Sequence, residues 1–356
     1  MTMLIAGLVF GLLVLIHELG HFLVAKKTGV LVEEFSIGMG PALFSFRRGE
    51  TKYSLRCLPF GGYCAMMSEK KPELPGRSFT EKNVLQRMAI MAAGPGMNLV
   101  LAFVILLGLL GASGFYLPRV NRLLDGYSAQ KAGMEVGDTI RSVDGQRVGI
   151  YEDLNLILDT YSGQGSLPVV VRRGSETVTL EITPQKTEDG SRYILGFSPV
   201  GKSGVFGKAI EGLERATLGE TLRVSVENLV YQIRSTALGL IRVFTFRASA
   251  DEVAGPVGIV EIIGDSYEAG LQYSPAAALM NVLYLMALLS DNLALVNLIP
   301  LPGLDGGHLF FLLIEAVRRK PIPPERENLI HLIGLGLVMA LMAVFLFHDV
   351  MRLLGR

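Results

Sequence analysis

Leu15-Ile16-His17-Glu18-Leu19-Gly20-His21-Phe22-Leu23-Val24-Ala25 sets two imidazoles and a carboxylate within about one turn of an otherwise apolar stretch. No charged side chain occurs between Met1 and Ile16, and Phe22 to Ala25 is apolar again. At helical spacing, residues i and i+4 share a face, so His17 and His21 can hold one metal ion between them. Glu18 stands beside them, where a general base could reach water at that metal. The same spacing arises by chance in soluble helices. Chance explains it poorly inside a membrane span, where each buried ionisable group costs roughly 2.5–3.5 kcal/mol on insertion scales. The cluster therefore implies a metal centre in a membrane helix.

The surrounding composition agrees. Of 356 residues, 50% are hydrophobic and 19% charged, with no tryptophan, which suits a membrane protein carrying a folded water-exposed part. Net charge is zero, so nothing points to nucleic acid. The two cysteines, Cys57 and Cys64, are too few for a disulfide framework and match no usual zinc spacing; they read as free thiols on the reducing side. Met3 to Ala25 spans roughly 35 Å as a helix, enough to cross the hydrocarbon. It lacks the basic n-region and cleavage site of a signal peptide, and cleavage would discard the metal motif.

Lys26 to Arg87 is rich in basic residues, Lys70 and Lys71 among them, whereas the N-terminal tip has none. The positive-inside rule puts this loop in the cytoplasm and the N-terminus outside. Within it, Ala42–Phe46 and Thr51–Cys57 flank Arg47-Arg48-Gly49-Glu50 as a β-hairpin, which Pro59 to Tyr63 ends. Such a hairpin offers an open edge to an extended peptide, or merely plugs the cytoplasmic mouth. The uncharged run Met88–Pro118 contains a second span. It opens on Ala93-Gly94-Pro95-Gly96-Met97-Asn98, where small residues allow close helix approach. Asn98 is a packing group or a substrate contact.

About 150 residues on the outer face follow. Ser128 to Gly145 resembles the signature of bacterial protease-type PDZ domains, over roughly Tyr116–Pro199. Domains of this kind bind extended peptides by strand addition, so a peptide C-terminus is a candidate ligand of the groove. From Phe206 to Phe246, apolar residues fall at helical spacing with charges on other faces, predicting one long or two shorter amphipathic helices, interfacial or packed on the domain. Ala254 to Gly258 reads as a rigid turn. Ala269 to Ser290 begins a third span, ending in Asn297-Leu298-Ile299-Pro300-Leu301-Pro302-Gly303-Leu304-Asp305-Gly306-Gly307. Its prolines break the helix near an acid, a plausible second half of the metal site. Leu329–Phe347 gives a fourth span after the basic Arg318-Arg319-Lys320.

Taken together, these motifs resemble the site-2 protease family of intramembrane metalloproteases, and more narrowly the bacterial PDZ-containing members of the regulator-of-sigma-E protease kind. The resemblance spans the chain: the histidine motif, Gly94-Pro95-x-x-Asn98, the PDZ-like insert, Gly255 to Gly258, and Asn297-x-x-Pro300-x-Pro302-x-x-Asp305-Gly306-Gly307. It implies a polytopic α-helical membrane protein of about four transmembrane helices, with a cytoplasmic-side β-hairpin and one inserted PDZ-like α+β domain. The expected division is residues 1–112, 113–203 for the PDZ-like domain, 204–268 for an amphipathic linker, and 269–356 for the last two spans. By the same resemblance His17, His21 and Asp305 ligate zinc, Glu18 is the general base, and Asn297 steadies the oxyanion or positions the peptide; Asn98 is carried as a substrate contact. The implied substrate is a single-span membrane protein, such as an anti-sigma factor or a remnant signal peptide, in a bacterial cytoplasmic (inner) membrane. Membrane lipid is the other partner, with both termini and the PDZ-like domain on the outer or periplasmic side. The rival readings are a PDZ scaffold with structural zinc, which would not require Glu18, and a zinc or proton transporter, which predicts charges through several spans. Asp291 departs from the pattern: it is second to the metal ligands, part of a proton path, or water-facing.

Overall fold

The computed structural model describes residues 1–68, 74–187, 189–245, 254–320 and 324–353. Lys70, Lys71 and Phe246 lie outside them. In chain order the elements are α1 (Thr2–Lys27), β1 (Val32–Arg48), β2 (Thr51–Met66), α2 (Val84–Ser113), β3 (Phe115–Leu123), α3 (Ser128–Lys131), β4 (Thr139–Val143), β5 (Gln146–Arg147), α4 (Glu152–Asp159), β6 (Leu167–Arg173) and β7 (Glu176–Ile182). Then come β8 (Gln185–Lys186), β9 (Tyr193–Ile194), β10 (Phe197–Ser203), β11 (Glu214–Arg215), α5 (Leu218–Phe244), α6 (Pro256–Leu271), α7 (Pro275–Leu298), α8 (Asp305–Arg318) and α9 (Pro324–Leu353). Among the described residues, α1, α2, α7 and Leu329–Asp349 of α9 are long and apolar enough to cross a membrane. The chain divides into two compact units: Met1–Ile105 with Thr236–Arg356, and Leu106–Ser235.

In the first unit, α1 buries Ala6, Val9 and Leu13 with Ile263 of α6 and Val282 and Met286 of α7. Its other end packs Ala25 with Val30, Val32, Ile90, Met91 and Leu312. A stripe on α1 is thus buried while much of its surface faces outward, as a lipid-bathed helix requires. Gly94, Pro95 and Gly96 are helix-breaking residue types, yet α2 begins at Val84 and runs through Pro95 unbroken. Pro95 only removes the N–H that would bond Met91 O, and the neighbouring turns carry the helix past it.

The hairpin is longer than its sequence implies. β1 and β2 pair antiparallel, and the register folds back on itself: Phe35 lies opposite both Cys64 and Tyr53, and Ile37 opposite both Gly62 and Leu55. Gly38, Gly40 and Gly61, all at positive φ, let both strands bend. The sheet therefore runs, side to side, through Gly62–Met66, Val32–Ile37, Thr51–Arg56 and Ala42–Arg48. Pro59 to Tyr63 does not end the hairpin; β2 bends there and continues. Thr51–Arg56 lies inside the sheet, leaving Ala42–Arg48 and Gly62–Met66 as its edges.

In the second unit the main sheet is ordered β11-β10-β3-β4-β6-β7, with β5 on β4. Val120, Ile140, Val143, Val169, Val171, Ile182 and Leu195 pack under α4 through Leu154, Ile157 and Leu158. Phe206 to Thr217 is not the start of an amphipathic helix; helix begins at Leu218. The Phe206 N–H bonds Gly111 O and its ring covers Gly111, so its apolarity serves an anchor onto α2 rather than a helical face. In the first unit, Ala254 to Gly258 is likewise more than a turn. Pro256 opens α6, whose first N–H groups are held by Asp349 of α9.

Candidate metal centre

His17 and His21 project from one face of α1, one turn apart, and both are buried. Asp305 arrives on a separate helix. α7 stops at Leu298, a turn carrying Pro300 and Pro302 follows, and Asp305 opens α8, where the positive end of the helix dipole favours a carboxylate. Gly306 and Gly307 make that turn possible, since a Cβ on them would lie 2.2 Å from Ile299 O and 2.4 Å from Leu301 O. An ion pair between Arg87 and Glu315 ties α8 to α2.

Asp305 Oδ2 lies 3.1 Å from His17 Nε2 and 3.3 Å from His21 Nε2, and the two Nε2 atoms are 3.2 Å apart. Tetrahedral zinc with bonds near 2.1 Å separates its ligand atoms by roughly 3.4 Å, so the spacing fits one ion. Protonation fits too. His21 Nδ1 is 2.8 Å from Ile90 O, and a carbonyl only accepts, so the proton sits on Nδ1 and Nε2 offers a lone pair. Asp305 Oδ2 accepts no well-formed hydrogen bond, as expected of an atom aimed at a cation. Asn98 is fully buried, its amide 3.5 Å from His17 Nδ1. With the amide oxygen turned to that nitrogen, His17 also keeps its Nε2 lone pair.

Glu18, half-buried on the next face, lies beside the Gly62–Met66 sheet edge. A Cβ on Gly62 would lie 3.6 Å from Glu18 Cγ, so the edge runs directly past the carboxylate. Burial, then the charge of Glu18, pushes the Cys64 thiol up to about 12, leaving it a protonated wall group. Asn297 is half-buried in the last turn of α7 and, among the described residues, makes no hydrogen bond to the donor set. Asp291 is fully buried against Thr236 Oγ1 at 3.3 Å, so it does not face water.

The small residues at Ala93 to Asn98 announce close helix approach, but neither its partner nor the matching contact at Gly20. A Cβ on Gly94 would meet His21 Nε2 at 2.3 Å and His17 Cε1 at 2.8 Å; one on Gly20 would meet Ala93 O at 2.2 Å. Each glycine admits the other helix. Gly94-Pro95-Gly96 was the available signal, and its meaning depends on which helix faces it.

His17, His21 and Asp305 could hold one metal ion, and with Glu18 beside them they are the residue types that a metallohydrolase site uses. The chain belongs to peptidase family M50, whose sequence profile matches residues 5–341. It is 33% identical to a protein of Clostridium acetobutylicum named as a zinc metalloprotease, over 98% of this chain and 97% of that one. It is 30% identical to the regulator of sigma-W protease RasP of Bacillus subtilis, over 97% of each chain. A solved PDZ domain from Listeria monocytogenes aligns with 23% of this chain and 85% of its own length, at 16% identity and a TM-score of 0.21, too slight a likeness to bear on the fold. The protein is a zinc metalloprotease of the membrane.

Proposed function

We propose that the protein hydrolyses a peptide bond within or beside the membrane segment of single-span membrane proteins after an earlier cut has removed their outer part. The observation that carries this reading is the convergence of His17, His21 and Asp305 on apolar helices with Glu18 beside them. These three residues hold the zinc, which supplies Lewis-acid polarisation when bound. Glu18 takes the proton of the attacking water at its carboxylate and returns it to the leaving amide nitrogen. Asn297 is the group we assign to positioning the peptide.

A substrate helix must unwind before its carbonyls are accessible, and an exposed sheet edge can replace the hydrogen bonds it loses. The Ala42–Arg48 edge supports this role, since Leu43, Phe44 and Phe46 are exposed. The basic loops favour a cytoplasmic site side, with both termini and the inserted domain outside. The inserted PDZ-like domain acts as a size filter against untrimmed substrate. The name of the Bacillus subtilis relative supports an anti-sigma factor as the substrate kind. The test is cleavage of a co-expressed single-span protein, pre-trimmed or intact, by wild type and Glu18→Gln. Wild type cuts only the trimmed form and Glu18→Gln neither; cleavage by Glu18→Gln overturns the reading.

A further inference from the structure

Four arginines in the second unit face a single concavity. Arg119 of β3 lies opposite Thr139 of β4, and Thr139 lies opposite Arg172 of β6, so two guanidiniums flank one threonine across three strands. Arg141 follows on the same outward face, at a register shift between Ile140 and Ser142, the kind of bulge that re-aims a side chain. Arg223 of α5 closes the side. Together they line a cavity of ≈ 180 Å³, with Glu220 the only carboxylate in its wall among the described residues.

The local acids do not neutralise this group. Glu220 accepts from Lys202 Nζ at 2.8 Å and from the Thr217 N–H, also at 2.8 Å. Glu227 is shared between Arg223 at 3.3 Å and Arg147 at 3.6 Å. Arg119 donates to Gly137 O. Among the described residues, no ion pair joins Arg141 or Arg172 to a carboxylate. Partial desolvation, then the charges of Arg172, Arg223 and Arg147, push Arg141 below the usual guanidinium range. Like charges side by side on a sheet face destabilise it. A fold that keeps four of them around one hollow, with an irregular strand to aim one, is built for something that neutralises them.

We propose that this hollow is a binding site for a phosphate-bearing anion. A guanidinium presents its donors as a planar fork that matches phosphate oxygens, and a compact tetrahedral dianion accepts from several forks at once. An acidic peptide would spread single carboxylates along a line instead of gathering charge in one cavity. The phosphate can come from a lipid headgroup or from solution, and the same chemistry serves both.

The full-length protein in neutral detergent is titrated calorimetrically with inorganic phosphate and, separately, with short-chain phosphatidylglycerol. Short-chain phosphatidylcholine and a polyglutamate peptide serve as comparisons. Saturable binding of phosphate identifies a soluble source, and binding of phosphatidylglycerol alone identifies a headgroup; either supports the site. Arg141→Gln with Arg172→Gln should weaken the binding at least about tenfold. The melting temperature should not fall, because the change relieves repulsion. Arg122→Gln with Lys131→Gln removes equal charge elsewhere and should leave affinity unchanged. Failure of both phosphate ligands to bind, or equal weakening by both double variants, overturns the proposal. So does binding confined to polyglutamate.

Discussion

Gly94 of α2 stands against His21 of α1 so closely that a methyl group on it would lie 2.3 Å from Nε2. The helices carrying the histidines and the Gly-Pro-Gly motif are therefore packed backbone to side chain at the donor atoms themselves. Gly94→Ala should displace both rings, cost about 1–3 kcal/mol of stability, and abolish zinc retention. Metal content of the purified variant checks this. Gly20→Ala, which meets backbone at Ala93 O, should separate the helices and have the larger effect on melting.

Removing a ligand and removing the base should separate cleanly. His17→Ala, His21→Ala and Asp305→Ala lose zinc and activity together, whereas Glu18→Gln keeps zinc and loses about 10²–10⁴-fold in rate. A chelator should lower the wild-type melting temperature to that of Asp305→Ala and leave the variant unmoved. Full zinc occupancy in Asp305→Ala would remove Asp305 from the site.

The β1–β2 sheet should weaken in acid. Burial raises the Glu34 carboxyl, but hydrogen bonds from Ser54, Arg56 and Tyr63, with the charge of Lys52, hold it down to about 2. A depressed folded-state pKa gives stability that is present above the ordinary value near 4.5 and is lost as pH falls toward about 2. Between pH 5 and pH 3, melting followed by tyrosine fluorescence should drop more in wild type than in Glu34→Gln. An equal drop in both would exclude Glu34 as the titrating group.

Asp349 accepts three backbone N–H bonds, from Gly255 at 3.1 Å, Val257 at 3.0 Å and Gly258 at 2.9 Å. Asp349→Ala orphans these donors and should destabilise the protein by about 1–3 kcal/mol, while Asp349→Asn retains part of the cap. Thermal unfolding in one detergent distinguishes the two. Equal stability of Asp349→Ala and wild type would show that water caps α6 just as well.

How far the sequence could be read depended on the range of each signal. His17, Glu18 and His21 were legible because helical spacing is local, and the apolar runs located the spans because bilayer thickness is a fixed length. Asp305, distant along the chain, was legible as an acid beside a proline-broken helix, and its pairing with His17 and His21 came through the resemblance. Alternation marked strands at Ala42–Phe46 and Thr51–Cys57, but period two cannot reveal that Gly38, Gly40 and Gly61 fold each strand back beside itself. Helical spacing from Phe206 misled, since Gly207 and Gly212 disfavour a helix and Phe206 instead caps Gly111. Close helix approach at Gly94 was legible from the small residues around it, but that its partner is the histidine face of α1, with Gly20 answering it, was not.

The turn between α7 and α8 delivers Asp305 to histidines that were synthesised near the beginning of the chain. Every residue of the inserted domain emerges from the ribosome between them. During translation α1 and α2 can enter the bilayer and pair through Gly20 and Gly94, but their imidazoles have no carboxylate to share an ion with. The donor set is completed only after the third apolar segment has been integrated. On the proposed ligand assignment, a chain that ends before α8 lacks the carboxylate of the donor set and should be hydrolytically inert, with competence conferred late in biogenesis.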